Sequence, residues 1–293
     1  MYELVRQVRL LGSTAERRTV AWLDKGVRVY LVEARDLAYD SRFLHQLVPV
    51  PDGRRIGQVT FQLSGALTTL RDRRESEISD GYFGVEPSME WMELWHGRDF
   101  RALALEWSAD WGTMPDRFSF AKMDPRTASA AHSVAEAIAS RSRRAVVESL
   151  EILYSRLRAF GLDLDTWSTN RLMAPNPKHV EVARVLNELR SSLPTQAGWS
   201  DGSTATGRSE RQLRRDMNDF YRSLNIVPPS LKKLLLRDRL LSAVLLLSAN
   251  EPSIERTARS VGYGTSRALA LALRTAGLPS ASVILANARQ SRS

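Results

Sequence analysis

The sequence predicts an α+β chain whose N-terminal half is a β-sandwich or barrel and whose C-terminal half is all helical. Three observations support this prediction. Short segments rich in β-branched and aromatic residues alternate with turn residues between positions 20 and 107. After Met123-Asp124-Pro125 the spacing of apolar residues becomes that of helices. Between positions 208 and 278, two helix-turn-helix units flank one long helix.

The β-rich half is divided by turn residues such as Asp80-Gly81 and Glu86-Pro87. Several short strands at this spacing are typical of a sandwich or barrel. The predicted strands are Val20–Leu23, Val27–Glu33, Arg55–Leu63, Leu67–Arg71, Glu75–Ile78, Tyr82–Val85, Met89–Leu94 and Phe100–Trp107.

Two helices follow, at Ala128–Ser140 and Arg143–Phe160. The second carries an apolar seam whose members are three or four residues apart, which buries one stripe of the helix against a partner. That partner is either the β-sheet of the same chain or a second copy of the protein. The seam consists of Val146, Leu150, Leu153, Leu157 and Phe160.

Polar and proline residues in 163–177 predict a linker, and the next helix is predicted at Lys178–Ser192. The predicted organisation is an N-terminal domain at 1–165, with helices at 126–160, a linker at 166–177 and a C-terminal domain at 178–293.

The second helix-turn-helix unit has the clearer boundaries. Ser253 is a suitable cap for a helix at Ile254–Ser260, and Gly262 ends that helix. Thr265 or Ser266 caps the next helix, which runs to Thr275 and stops at Gly277. In this pattern the second helix enters the major groove of DNA.

The first unit has its second helix at Glu210–Phe220, capped by Ser209. Pro229 opens the long helix between the units, predicted at Ser230–Leu247. Its 18 residues would span about 27 Å. With the turns, this length can hold two recognition helices about 34 Å apart, which is one turn of DNA.

Composition narrows the classes of protein. The chain has 293 residues, which suggests two domains, and it has no cysteine, which excludes disulfides and thiolate metal sites. No segment is apolar enough for a membrane span, so the sequence predicts a cytoplasmic protein.

Positive charge is concentrated in the C-terminal part. Residues 171–293 contain 19 Lys and Arg against 9 Asp and Glu, whereas residues 1–170 contain 23 against 24. A basic region of this kind is typical of proteins that bind the phosphates of nucleic acids, and such binding depends strongly on salt.

The C-terminal region resembles the DNA-binding domain of AraC/XylS-type transcription regulators over roughly residues 178–285. The first unit matches the family pattern S-x-x-x-L-x-R. Two departures are the glycine-containing segment Trp199–Thr206, a weak helix by composition, and an alanine-rich final helix with apolar Leu271. The matching residues are Ser209, Leu213, Arg215, Pro229, Arg237, Ala258, Val261-Gly262-Tyr263, Leu269 and Leu273.

The N-terminal half resembles the cupin-like sensor domain that precedes this DNA-binding domain in many such regulators. The resemblance rests on F-x-L-S-G at Phe61–Gly65 and S-D-G-Y at Ser79–Tyr82. It implies a small-molecule effector, and a helical pair in this position often forms the homodimer interface of the family.

The resemblance implies double-stranded DNA as the partner. Arg211, Gln212 and Arg214 are the predicted readers of base edges, while Arg215 supports the fold or contacts phosphate. Ser209, at the start of the same helix, is also a predicted DNA contact. In the second unit the predicted DNA contacts are Thr265, Ser266, Arg267 and Arg274, the last of them to phosphate.

Aromatic residues are frequent in the middle of the β-rich half, which suits an apolar or planar effector. The predicted ligand-binding residues are Tyr82, Trp91 and Trp95; the alternative is that the tryptophans fill the barrel core. His45, His96 and His132 are far apart and lack an H-x-H pair, so neither a metal nor a cofactor is predicted.

No phosphate loop, nucleophile elbow or paired catalytic carboxylates occur in the sequence, so the chain is not expected to be an enzyme. Two alternatives to an effector-responsive regulator remain. In the first alternative, the N-terminal domain serves only dimerisation or contact with another protein. In the second, it is a cupin-type enzyme that is tethered to DNA.

Overall fold

A computed structural model describes residues 2–10, 13–24, 27–37, 56–71, 74–86, 92–94, 99–108, 112, 114–115, 119–164, 175–191, 199–224, 226–249 and 252–290. The strands in these ranges are β1 Tyr2–Arg9, β2 Glu16–Asp24, β3 Val27–Arg35, β4 Ile56–Ser64, β5 Ala66–Arg71, β6 Arg74–Ser79, β7 Tyr82–Glu86, β8 Met92–Leu94, β9 Asp99–Ser108 and β10 Ser119–Lys122.

The strands form two antiparallel sheets. Within the described ranges, the larger sheet has the order β1-β2-β3-β9-β4-β7-β10, and the smaller has the order β6-β5-β8. Each predicted strand corresponds to one of these strands, whereas β1 and β10 were not predicted. The predicted α+β class, with a β-rich N-terminal half and a helical C-terminal half, is confirmed.

The helices are α1 Pro125–Ala139, α2 Arg143–Leu157, α3 Pro177–Ser191, α4 Trp199–Thr206, α5 Glu210–Ser223, α6 Leu231–Leu247, α7 Ile254–Ser260, α8 Ser266–Thr275 and α9 Ala281–Gln290. The helices predicted from caps and apolar spacing are present, most with ends within a few residues of the predicted positions.

Both faces of the larger sheet are covered, because successive side chains of a strand point to opposite faces. On β3, Val29 and Leu31 pack into a core with α1 and α2. On the same strand, Val32 and Ala34 pack into a second core with the C-terminal helices. The sheet therefore joins the two helical parts of the chain.

The apolar seam of α2 is used inside the chain. Val146, Leu150, Leu153 and Leu157 are all fully buried in the core formed with α1 and the sheet. Phe160 follows α2 in a 3-10 helix and its ring meets Phe83 edge to face, with centroids 4.8 Å apart. Of the two partners considered for this seam, the same chain is the one that covers it. The homodimer itself stays a prediction.

Candidate nucleic-acid interface

Helix α6 lies in two hydrophobic cores. Its first half contributes Leu231, Leu234 and Leu235 to a core with α3 and α5. Its second half, Leu240–Leu247, packs with α7, α8, α9 and the sheet. The two helix-turn-helix units are thus fixed to opposite halves of one helix, as the sequence predicted. Ser230 caps α6 through the amide of Lys233 at 3.3 Å.

The first unit consists of α4, a short turn and α5. Ser209 caps α5 by accepting a hydrogen bond from the Gln212 amide, and Gln212 Oε1 in turn accepts from the Ser209 amide at 3.1 Å. This reciprocal capping satisfies two backbone donors at the helix start. The Gln212 side chain, predicted to read bases, closes the cap in this structure.

Helix α4 forms despite its weak helical composition. Gly202 is buried where α4 meets its neighbours, and a Cβ there would lie 2.8 Å from Leu213 Cδ2 and 3.1 Å from Val185 Cγ1. Ser203 Oγ donates to the carbonyl of Arg208 at 2.5 Å, and Arg208 pairs with Asp216, which is buried on α5. Packing against α3 and α5 therefore replaces helix propensity.

The exposed face of α5 carries arginines. Leu213, Met217 and Phe220 are buried. At about 100° per residue, the opposite side of the helix is occupied by Arg211, Arg215 and Arg222, all exposed.

The Arg215 side chain is 68% exposed, with Nε 3.8 Å from the carboxylate of Asp216. Arg214 is exposed on the flank of this face. Arg215 follows Arg211 by four residues, and this spacing in the sequence is the signal that places Arg215 near the centre of the exposed face.

The second unit has the predicted boundaries. Ser253 caps α7 through the amide of Arg256 at 3.3 Å, and Thr265 caps α8 through the amide of Ala268 at 3.1 Å. Gly262 has φ 84° in the turn between the helices, and Gly277 has φ 72° after α8. These left-handed conformations suit glycine because they need no Cβ.

The exposed face of α8 differs from that of α5. Leu269 and Leu273 are fully buried, whereas Arg267, Ala268 and Arg274 are exposed. Leu271 is 53% exposed. The face opposite the core therefore combines arginines with apolar side chains.

The first strand anchors the helices to the sheet. Asp238 on α6, 1% exposed, forms ion pairs with Arg6 of β1 and with Arg190 of α3, the latter with Nε–Oδ2 2.9 Å. Burial by itself raises the pKa of the Asp238 carboxyl, but the charges and hydrogen bonds of Arg190 and Arg6 hold this pKa below its ordinary value.

The free edge of β1 is covered by α3. The Val5 amide donates to Asn187 Oδ1 at 2.8 Å, and Tyr2 Oη lies 3.1 Å from His179 Nδ1. Burial lowers the pKa of His179. Helix α3 therefore prevents this edge from pairing with another chain.

Of the predicted effector residues, Tyr82 lies within the described part of the chain. Tyr82 is partly buried and packs against the core that contains Ile78 and the C-terminal helices, on the other side of the sheet from Phe83. Trp91 and Trp95 lie outside the described residues, as do His45 and His96.

His132 is exposed on α1. Within the described ranges, no cluster of three or more histidines and carboxylates could hold a metal ion. Among the helices that are described, none has the length and apolar character needed to cross a membrane.

No family model and no curated protein matches the chain. Among solved structures, ToxT from Vibrio cholerae is similar over 89% of this chain and 98% of its own, with 8% identity and a TM-score of 0.36. An unsaturated fatty acid-bound ToxT from strain SCE256 of the same organism is similar over 90% and 96%, with 9% identity and a TM-score of 0.34.

A DNA-binding transcriptional dual regulator from Escherichia coli K-12 is similar over 40% of this chain and 98% of its own, with 19% identity and a TM-score of 0.32. At such low identities and TM-scores, these similarities assign neither a family nor a function to the chain.

Proposed function

We propose that this chain is a sequence-specific DNA-binding transcription regulator of the AraC type. One observation carries the proposal: two helix-turn-helix units share α6, and each presents exposed arginines opposite its buried stripe. The 17 residues of α6 span about 26 Å. With the flanking turns, this suits two recognition helices placed about one DNA turn apart.

The division of charge supports the same function. The basic excess lies entirely in residues 171–293, and α5 contributes the exposed arginines Arg211, Arg214, Arg215 and Arg222. Arginine pairs with guanine through two hydrogen bonds and contacts phosphate through charge, so α5 is the principal reader in this proposal.

In this proposal the protein is a cytoplasmic homodimer without catalytic activity or cofactor. Its N-terminal half has a sensory role and responds to a small-molecule effector. The ion pair between Asp238 and Arg6 supports the sensory role, because it joins β1 directly to the helix that carries both units. A change in the sheet can therefore alter the position of α6.

A second candidate is a regulator whose N-terminal half serves only dimerisation or contact with another protein. Thermal denaturation in the presence of a metabolite library separates the two. A compound that raises the melting temperature and changes DNA affinity supports the sensor, whereas no stabilisation by any compound favours the second candidate. Light scattering at micromolar concentration tests the homodimer, and a monomer would contradict it.

The function itself is tested by selecting bound duplexes from a random DNA pool with the full-length protein at two salt concentrations. We expect enrichment of two short elements about one helical turn apart. Failure to enrich any element, together with loss of binding at modest salt, would contradict sequence-specific recognition.

Replacing single arginines distinguishes base reading from phosphate contact. Arg211→Ala is expected to relax sequence preference, because a good arginine–guanine pair contributes about 1–3 kcal/mol of discrimination. Arg274→Ala is expected to weaken binding to specific and random duplexes alike and to reduce the salt slope of log K by about 1.

Affinities for the selected and a scrambled duplex, measured by fluorescence anisotropy over a salt series, check both outcomes. Arg126→Ala, an exposed arginine on α1, is the control and should leave both affinities unchanged. Equal losses on both duplexes for Arg211→Ala would remove it from the base-reading residues.

A further inference from the structure

The centre of the exposed face of α8 is apolar. With Arg267 as the origin and about 100° per residue, Leu269 and Leu273 point near 200° and 240°. Both are fully buried. Leu271 points near 40°, directly opposite the mid-point of that buried pair, and it is 53% exposed. A large aliphatic side chain thus occupies the centre of the exposed face, the face that a recognition helix turns towards the major groove.

Two hydroxyl groups near this position form hydrogen bonds within the helix. Thr265 Oγ1 accepts from the Ala268 amide at 3.1 Å, and Thr275 Oγ1 donates to the Leu271 carbonyl at 2.8 Å. Besides the arginines, these two threonines and Ser266, the exposed neighbours of Leu271 on α8 are Ala268 and Ala270, whose side chains are methyl groups.

Charge on both sides of Leu271 indicates which partner covers it. Arg267 precedes it by one helical turn and Arg274 follows by nearly one turn, and both are exposed. Guanidinium groups on either side of an aliphatic centre match the phosphates that border the major groove. Within that groove, thymine presents a C5-methyl group as its apolar feature.

We propose that the second unit recognises thymine through its C5-methyl groups, with Leu271 and Ala268 as the contacting side chains and Arg267 and Arg274 holding the flanking backbone. This inference rests on the proposed DNA-binding function and extends it. The two units then read different chemistry: α5 reads hydrogen-bonding edges with arginine, and α8 reads methyl groups.

The test removes methyl groups from the DNA and leaves its hydrogen-bonding edges intact. In the duplex selected by the full-length protein, deoxyuridine replaces thymine in the element next to α8. Affinity is expected to fall about fourfold for each contacted methyl group. The same replacement in the element next to α5 should change affinity by less than about twofold.

Leu271→Ala provides the matched comparison. Alanine favours a helix and the position is exposed, so the variant should have the same melting temperature as the wild-type protein. It should bind the thymine duplex several-fold more weakly than wild type and show little further loss on deoxyuridine replacement.

Two results would overturn the inference while leaving DNA binding intact. One is that the DNA element next to α8 contains no thymine, or that replacing its thymine with deoxyuridine leaves affinity unchanged. The other is an equal deoxyuridine effect in wild type and Leu271→Ala. In both cases Leu271 would be available for a protein partner instead. If the wild-type protein selects no duplex, the proposed function and this inference both fail.

Discussion

Gly202 is the residue on which the geometry of the first unit depends most closely. It lies in α4, where a Cβ would come within 2.8 Å of Leu213 Cδ2 and 3.1 Å of Val185 Cγ1. Glycine costs a helix about 1 kcal/mol relative to alanine. Here the missing side chain lets α4 approach α3 and α5 closely, so close packing offsets the lower propensity.

Gly202→Ala therefore opposes two effects of known sign. Helix propensity favours alanine, but the overlap forces two buried neighbours to move, and overpacking typically costs about 1–3 kcal/mol. We expect overlap to dominate and urea denaturation to show a net loss of about 1 kcal/mol. Gly264→Ala is the control, since a Cβ there meets no atom within 4 Å. A stabilised Gly202→Ala variant would show that α4 can shift at little cost.

At the scale of single residues, the helix caps could be predicted from the sequence, whereas the packing role of Gly202 could not. Ser209, Ser253 and Thr265 cap α5, α7 and α8 as predicted. A cap is satisfied by residues two or three positions away, so its signal is local. The role of Gly202 depends on Val185 and Leu213, and nothing in the segment itself identifies them.

At the scale of elements, the cluster formed by Asp238, Arg6 and Arg190 joins β1, α3 and α6. The Asp238 carboxylate is fully buried between the two guanidinium groups. Removing one member of a buried ionic cluster leaves uncompensated charge and commonly costs about 3–5 kcal/mol.

We expect Asp238→Asn to lower the free energy of unfolding by about 3–5 kcal/mol, measured by urea denaturation near pH 7. Glu255→Gln is the control, because the Glu255–Arg259 pair lies on the surface, with side chains 65% and 71% exposed. Its cost should be about 0.5 kcal/mol or less. Similar costs for the two variants would mean that the Asp238 cluster is not a structural link.

The lowered pKa of Asp238 also predicts how the difference in unfolding free energy between wild type and Asp238→Asn changes with pH. A carboxyl group whose folded-state pKa is depressed stabilises the protein fully above its unfolded pKa, about 4, and loses that contribution as pH falls through the folded value. The difference between wild type and Asp238→Asn should therefore be constant above about pH 5 and shrink in more acidic solution. A difference that is independent of pH down to acid unfolding would exclude the ionised carboxylate as its source.

Strand β1 shows the limit of prediction for elements. Its sequence, YELVRQVR, mixes charged and apolar residues and gives no clear alternation. Leu4 packs with α3 and α5, and Val8 packs with α6 and the second unit. These partners are about two hundred residues away in the chain, so the strand is defined by tertiary packing.

For the whole molecule, the hydrophobic cores cross the boundary between the β-rich and helical halves. One core joins Val32, Ala34 and Phe100 of the sheet with α6, α7, α8 and α9, and another joins Leu4 and Leu23 with α3 and α5. Separate stability of the two halves would require these apolar surfaces to be exposed. The sequence predicted two halves correctly in type, but the apolar residues on the second face of the sheet do not reveal which helices cover them.

We expect the full-length protein to unfold in one transition. Tryptophan fluorescence, to which the buried Trp22 and Trp107 of the sheet contribute, and far-UV circular dichroism, dominated by the helices, should give the same urea midpoint. A helical signal lost at distinctly higher or lower urea than the fluorescence signal would show that the halves unfold independently.

Because α6 belongs to both cores, its length also fixes the rotation of the second helix-turn-helix unit relative to the first about the axis of α6. One inserted residue would turn everything beyond it by about 100° and advance it by about 1.5 Å. In the proposed DNA complex, the two recognition helices then tolerate only one separation along the duplex. Adding a single base pair between the two elements rotates them by roughly 35° and separates them by about 3.4 Å, so the rigid helix turns spacing itself into part of the recognised sequence.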